Sequence, residues 1–182
     1  MTRSKFDPLP IALEFAPPDA AGLNVNGARF GCGRDNGTKR HNGTDLKAPL
    51  GTDITALFDG TVIAVRNTFK KDEYVDKSLG NTIIVKVKDQ RLWFRYAHLK
   101  YLETPLVKVG DTIIAGQVLG KTGRSGNAFN APFTHLHFEA STTGFGGTAP
   151  SNYIDAEPYL KTEFLPNPNC VTNCPGCAAD DT

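Results

Sequence analysis

The sequence predicts an all-β fold, and two patterns carry that reading. Short apolar runs rich in β-branched residues recur at 52–57, 61–65, 82–87, 92–96, 112–115 and 135–140, with Gly and Asp turns between them. A faint duplication accompanies them: Gly51-Thr52-Asp53-Ile54 before Gly60-Thr61-Val62 resembles Gly110-Asp111-Thr112-Ile113 before Gly116-Gln117-Val118. Long helices are not expected. Asp59-Gly60 falls between two runs, where a tight hairpin would place it, and Gly110-Asp111 and Gly116-Gln117 bracket a further short strand. The charged stretch 66–79 and the Gly/Thr/Ser-rich stretch 141–152 lack strand periodicity and read as long loops, suited to form binding walls or to be tolerated insertions.

A length of 182 residues suits one domain with one core. Within it the expected division is an extended, Pro- and Asn-rich lead-in over 1–29, the β domain over 30–162 and a Cys-containing tail over 163–182. With 20 basic and 19 acidic side chains the net charge is +1, so global charge recruits neither nucleic acid nor an anionic membrane. No segment has the apolar length of a membrane span. Near the start, Asp7, Pro8 and Pro10 interrupt what would be a signal-peptide core, so no ordinary secretory signal is expected. Cys32, Cys170, Cys174 and Cys177 fit two disulfides formed in an oxidising compartment, a structural zinc site of unusual spacing, or free thiols in a loose tail. Disulfides are the favoured reading.

The chain has 4 histidines, His41, His98, His135 and His137. A lone histidine is more often structural than functional, so their spacing must carry the argument. In Thr134-His135-Leu136-His137-Phe138-Glu139 polar and apolar residues alternate, which puts His135, His137 and Glu139 on one face of a strand. Packing alone does not account for two imidazoles there, because their ring nitrogens would all need partners. His41 and Asp45 lie four apart around Asn42-Gly43, which disfavours helix; in an extended or bulged strand the two still point the same way. His41, Asp45 and one of the tandem histidines would supply the three protein ligands of a catalytic zinc, with a fourth position left for water. The remaining tandem histidine and His98 would then face that position and move protons for amide hydrolysis.

Across residues 30–160 these motifs resemble the lysostaphin-type, or LytM-like, zinc metallopeptidases. The marks are His41-Asn42-Gly43-Thr44-Asp45, Asp59-Gly60-Thr61-Val62, Gly80-Asn81-Thr82-Ile83-Ile84-Val85, Tyr96-Ala97-His98-Leu99, Gly123-Arg124-Ser125-Gly126 and His135-Leu136-His137-Phe138-Glu139. The resemblance implies a compact β-sandwich of the duplicated hybrid motif type, with long loops around an open groove. It implies one Zn2+ on His41, Asp45 and His137, with His98 and His135 activating water and stabilising the oxyanion. The implied substrate is the peptide part of bacterial peptidoglycan, at glycine bridges or D-alanyl cross-links. Ser125 and Asn127 are candidate substrate hydrogen-bond donors beside a turn, and Tyr74, Phe129, Phe133 and Phe145 are candidate groove aromatics or packing residues.

The family's usual signal peptide, membrane anchor and wall-binding regions are not visible. This suggests an antibacterial effector delivered to the periplasm or cell wall by a non-classical route such as type VI secretion. A phage-associated enzyme and a mature fragment are the other readings. An injected toxin would need a cognate immunity protein, and a monomer is the default. Cys32, shortly before His41, is also a candidate thiolate for blocking the open zinc position. The rival functions are a non-catalytic LytM-like module that activates another wall hydrolase and a phosphocarrier of similar fold. The complete ligand set argues against the first. The pairing of His41 with Asp45 argues against the second.

Overall fold

The structure is a computed structural model that describes Pro8 and residues 14–15, 25–34, 39–146 and 152–161. Its strands are β1 (Glu14–Phe15), β2 (Gly31–Arg34), β3 (Lys39–His41), β4 (Thr44–Lys47), β5 (Asp53–Thr55), β6 (Gly60–Arg66), β7 (Asn81–Val87), β8 (Trp93–Leu99), β9 (Thr112–Ile113), β10 (Val118–Lys121), β11 (His135–Ser141) and β12 (Tyr153–Ile154). Short 3-10 turns at Val25–Ala28, Gly126–Asn130 and Glu157–Tyr159 are the only helical elements among the described residues. The all-β expectation therefore holds.

An eight-stranded antiparallel sheet runs β1-β4-β11-β8-β7-β6-β9, with β12 paired to β11; β5·β10 and β2·β3 form two-stranded sheets. In β6 Gly60 and Val62 are buried while Thr61 and Ile63 are exposed, whereas β7 and β11 are buried almost throughout. Ile54 of β5 and Leu119 of β10 share one core cluster with Val62, Val85, Phe94, Tyr96, Leu136 and Phe138 of the large sheet. Phe94 stacks on Phe138 with centroids 5.2 Å apart, and the buried Tyr96 hydroxyl accepts a bond from the Leu57 amide at 3.3 Å.

The duplication is structural. The first strand of each copy pairs with the second strand of the other: β5 with β10, through Thr55 and Val118, and β9 with β6, through Ile113 and Gly60. Matching backbone bonds flank the exchange, Gly116 to Ala56 at 2.8 Å and Gly110 to Val62 at 2.8 Å. The hairpin expected at Asp59-Gly60 is therefore corrected. Those residues carry the chain from one sheet to another, and Asp59 holds the second copy by accepting from the Ala115 amide at 2.8 Å. Gly60 is required there because a Cβ would lie 2.4 Å from the Lys86 carbonyl oxygen.

Pro8 and β1 dock the lead-in: the Pro8 carbonyl accepts from Thr55 at 2.9 Å, and Glu14 and Phe15 pair with Lys47 and Leu46. After β6 the loop expected over 66–79 begins one residue late, because Arg66 still belongs to β6. Asn81 fastens this loop, accepting from the Phe69 amide at 3.0 Å and donating to the carbonyls of Phe69 and Leu99 at 3.1 and 3.2 Å. Asn81 is buried, so its replacement by Ala removes all three bonds, both of those to Phe69 among them, and should lower stability by about 2–3 kcal/mol. Asp should be no better, since an ionised carboxylate cannot donate. Urea denaturation measures this, and unchanged midpoints would remove the role given to Asn81.

Candidate metal centre

Four strands, β3, β4, β8 and β11, bring the histidines and Asp45 together. β11 lies between β4 and β8, and its His137 is the register partner of Asp45 on one side and Ala97 on the other. His41 arrives from β3. Contrary to the expectation of one extended or bulged strand, His41 and Asp45 belong to successive strands separated by a bend at Asn42-Gly43. The bend crosses directly over β11: a Cβ on Gly43 would lie 2.7 Å from the Phe138 carbonyl oxygen and 2.9 Å from His137 Cε1. Glycine is what permits this approach.

One polar atom of each side chain is turned inward because its sibling is already bonded. The His41 Nδ1–H donates to the Arg29 carbonyl at 3.1 Å, leaving Nε2 for the site. His137 is turned the other way, with Nε2 3.0 Å from Glu139 Oε1 and Nδ1 inward. Asp45 Oδ2 accepts from Arg34 Nη2 at 2.9 Å, and Oδ1 points inward. The inward atoms converge: His41 Nε2 to His137 Nδ1 is 3.0 Å, His137 Nδ1 to Asp45 Oδ1 is 2.9 Å, and His41 Nε2 to Asp45 Oδ1 is 3.4 Å. These three buried residues form a group able to hold a metal ion. Two imidazole nitrogens and one carboxylate oxygen suit zinc, and a carboxylate or carbonyl fixing the outer atom of each histidine is the usual support of such a site.

His98 and His135 stand beside this triangle. The His135 ring is 5.2 Å from that of His98, and His135 Nε2 is 3.7 Å from Asp45 Oδ1. Both anchor Nδ1 to backbone carbonyls, His98 on Ser125 at 3.0 Å and His135 on Phe133 at 3.3 Å, so in each ring the lone pair is on Nε2. His98 has φ 59°, an uncommon value for a residue other than glycine, and its amide is held by the Leu79 carbonyl at 3.0 Å.

Ser125 is fully buried. Its hydroxyl donates to Leu99 and accepts from the backbone amide of Asn81, both at 2.9 Å, so it braces the end of β8 and is not placed to donate to a substrate. Asn127 is exposed on the adjoining 3-10 turn, and its amide donates to Ser78 at 2.8 Å. Tyr74 and Phe129 are exposed, the Phe133 ring lies 5.5 Å from that of His135, and Phe145 lies under the Arg95 guanidinium at 4.4 Å. Cys32 is disulfide-bonded, which removes the blocking thiolate; Cys170, Cys174 and Cys177 lie outside the described residues.

Sequence reasoning missed Arg29, Arg34 and Arg95. Arg95 is the register partner of Glu139 and ion-pairs with it, while also donating to the Tyr153 hydroxyl at 3.0 Å. The Glu139 carboxylate thus joins Arg95 to His137. A strand arginine one residue before the core-facing Tyr96 is the only local hint.

Without a metal, burial pushes His41 down to about 4, with the Arg34 charge adding to it. Burial likewise holds His98 well below the usual range and lowers His135. For His137 burial acts in the same direction, but the bonds and charges of Asp45 and Glu139 outweigh it and raise the group to about 9. Metal-stripped protein should therefore be most stable near the ordinary histidine value of 6.5. Below it the unfolded chain takes up protons that His41 refuses until about pH 4; above it the folded chain loses the His137 proton as pH rises through about 9. Melting in chelator across this range should show a maximum, with Tm lower at pH 9 by on the order of 5 °C. A steady rise to pH 9 would contradict it.

A family model described as Peptidase family M23 matches residues 39–149. The chain is 36% identical over 110 residues to the peptidoglycan DD-endopeptidase ShyA of Vibrio cholerae, covering 59% of this chain and 22% of that protein. It thus spans only about a fifth of that relative's length. Among solved structures, the catalytic domain of the antimicrobial peptidase lysostaphin from Staphylococcus simulans is similar with a TM-score of 0.54 and 27% identity, covering 74% of this chain and 88% of that one. A zinc-containing peptidase from Vibrio cholerae is similar with a TM-score of 0.51 and 25% identity, covering 85% of this chain and 41% of the other. The family match takes in more than half of the chain and contains all of its histidines, so the protein belongs to peptidase family M23.

Proposed function

We propose that the chain is a zinc-dependent endopeptidase that hydrolyses peptide cross-links or bridges of bacterial peptidoglycan. The observation that carries this is the convergence of three donor atoms, each left over by a bonded sibling, beside two imidazoles whose Nε2 atoms carry lone pairs. Zinc held by His41, Asp45 and His137 would supply a water acidic near neutral pH and a Lewis acid for the scissile carbonyl. The residues do the rest. His98 and His135 are neutral at pH 7 by burial, so either accepts the proton of the attacking water and returns it to the leaving amine. Their charges disfavour one another, which suits the pair to handling one proton at a time. A non-catalytic activator has no use for this arrangement. The wall substrate is supported by the ShyA and lysostaphin likenesses.

Delivery to the periplasm or cell wall of rival bacteria, with an immunity protein protecting the producer, is part of the same reading. The Cys32 disulfide supports it, since such bonds persist in oxidising compartments. Expression directed to the periplasm should then kill while cytoplasmic expression does not, and equal tolerance of both would rule the toxin out.

Mass spectrometry of defined peptidoglycan fragments, cross-linked through D-alanyl bonds or glycine bridges, tests the chemistry. Zinc-loaded protein should cut one class, and chelator or His137→Ala should abolish cutting. His135→Ala should retain zinc but lose about 10²–10⁴-fold in kcat. Failure of the zinc-loaded protein on both classes would overturn the proposal.

A further inference from the structure

The pairing of Arg34 with Asp45 is not accounted for by the family match, which begins at residue 39 and leaves Arg34 outside it. Arg34 ends β2 and is the register partner of Lys39 in β3, the strand that delivers His41. Among the described residues its guanidinium is anchored at two atoms: Nε donates to the Gly27 carbonyl at 2.8 Å and Nη2 to Asp45 Oδ2 at 2.9 Å. Cys32, two residues earlier on the same strand, is disulfide-bonded and gives the backbone a covalent restraint. The Arg34 side chain is one-third exposed, and that of Asp45 is only 9% exposed.

We infer that Arg34 is a positioning residue for the metal centre: by occupying Asp45 Oδ2 it limits this carboxylate to one metal-facing oxygen and preserves the position that water needs. The inference rests on the zinc reading above. A carboxylate can bind a metal through one oxygen or both, and the second mode fills a coordination position at the expense of an open site. Among the site contacts, those of His41, His137 and His135 all fall on Oδ1. They fix where Oδ1 lies but do not stop rotation about the bond to the carboxylate. Arg34, on the other oxygen, does. A planar guanidinium fixed at two atoms sets the carboxylate plane as well as its location, which a lysine point charge does less well.

Metal binding tests this apart from turnover. Zinc affinity is measured by competition with a chromophoric chelator, and coordination by the visible spectrum of the cobalt(II)-substituted protein. Arg34→Ala should bind zinc about 10–100-fold more weakly. Its cobalt absorption should lose intensity, the mark of a coordination number raised above four by a two-oxygen carboxylate. Arg34→Lys should recover part of the affinity, giving the order Arg, Lys, Ala. If Arg34→Ala fails to fold by circular dichroism, Arg34→Gln takes its place and the order Arg, Lys, Gln must hold. Affinities within twofold of one another with identical cobalt spectra would overturn the inference while leaving the zinc site intact. Failure of the unaltered protein to take up zinc or cobalt would overturn both the inference and the proposed function.

Discussion

The centre depends on one constraint: every inward-facing atom of the triangle is inward because its sibling is bonded elsewhere. His41 is turned by the Arg29 carbonyl, His137 by Glu139 and Asp45 by Arg34. Buried imidazoles and a buried carboxylate leave few alternatives, because each polar atom that finds no partner costs free energy. The outer bonds thus choose the tautomers before any metal arrives. They also explain why the end of β3 and the interiors of β4 and β11 present one set of donors.

Those outer bonds rest in turn on strand register. Because His137 stands opposite Asp45 and Glu139 opposite Arg95, a slip of one residue in β11 would turn His137 and Glu139 to the opposite face. The buried rings of Phe94, Tyr96 and Phe138 oppose such a slip, since their stacking fixes β8 against β11 from the core side. Apolar packing therefore sets the aim of the polar site.

Much of this was legible in the sequence, and the limits of legibility have a physical cause. Alternation within residues 135–139 placed two histidines and a glutamate on one face, because the period of a strand is a local property. The chemistry of imidazole and carboxylate then named the metal. The resemblance selected His137 over His135, which spacing alone had left open. What a neighbouring strand contributes is not local: Arg95 meets Glu139 and Arg34 meets Asp45 only after register is set. The hairpin expected at Asp59-Gly60 failed for the same reason. Asp-Gly marks a change of direction but not the strand that follows it into pairing. Ser125 was misplaced because a Gly-flanked turn does not reveal whether its hydroxyl is enclosed by the strands beside it.

The exchange of strands between the two copies has a consequence for how the chain reaches this state. A segment whose partner immediately follows can close early, over a short loop with little entropy lost. Here β6 can pair at once with β7, but β5 must wait for β10, so the first copy stays incomplete until the second has been synthesised. During translation β5 would emerge as an unpaired strand, the kind of surface that chains use to associate wrongly. His41 and Asp45 precede the exchanging strands in the chain and His137 follows them, so the site too joins segments far apart in sequence.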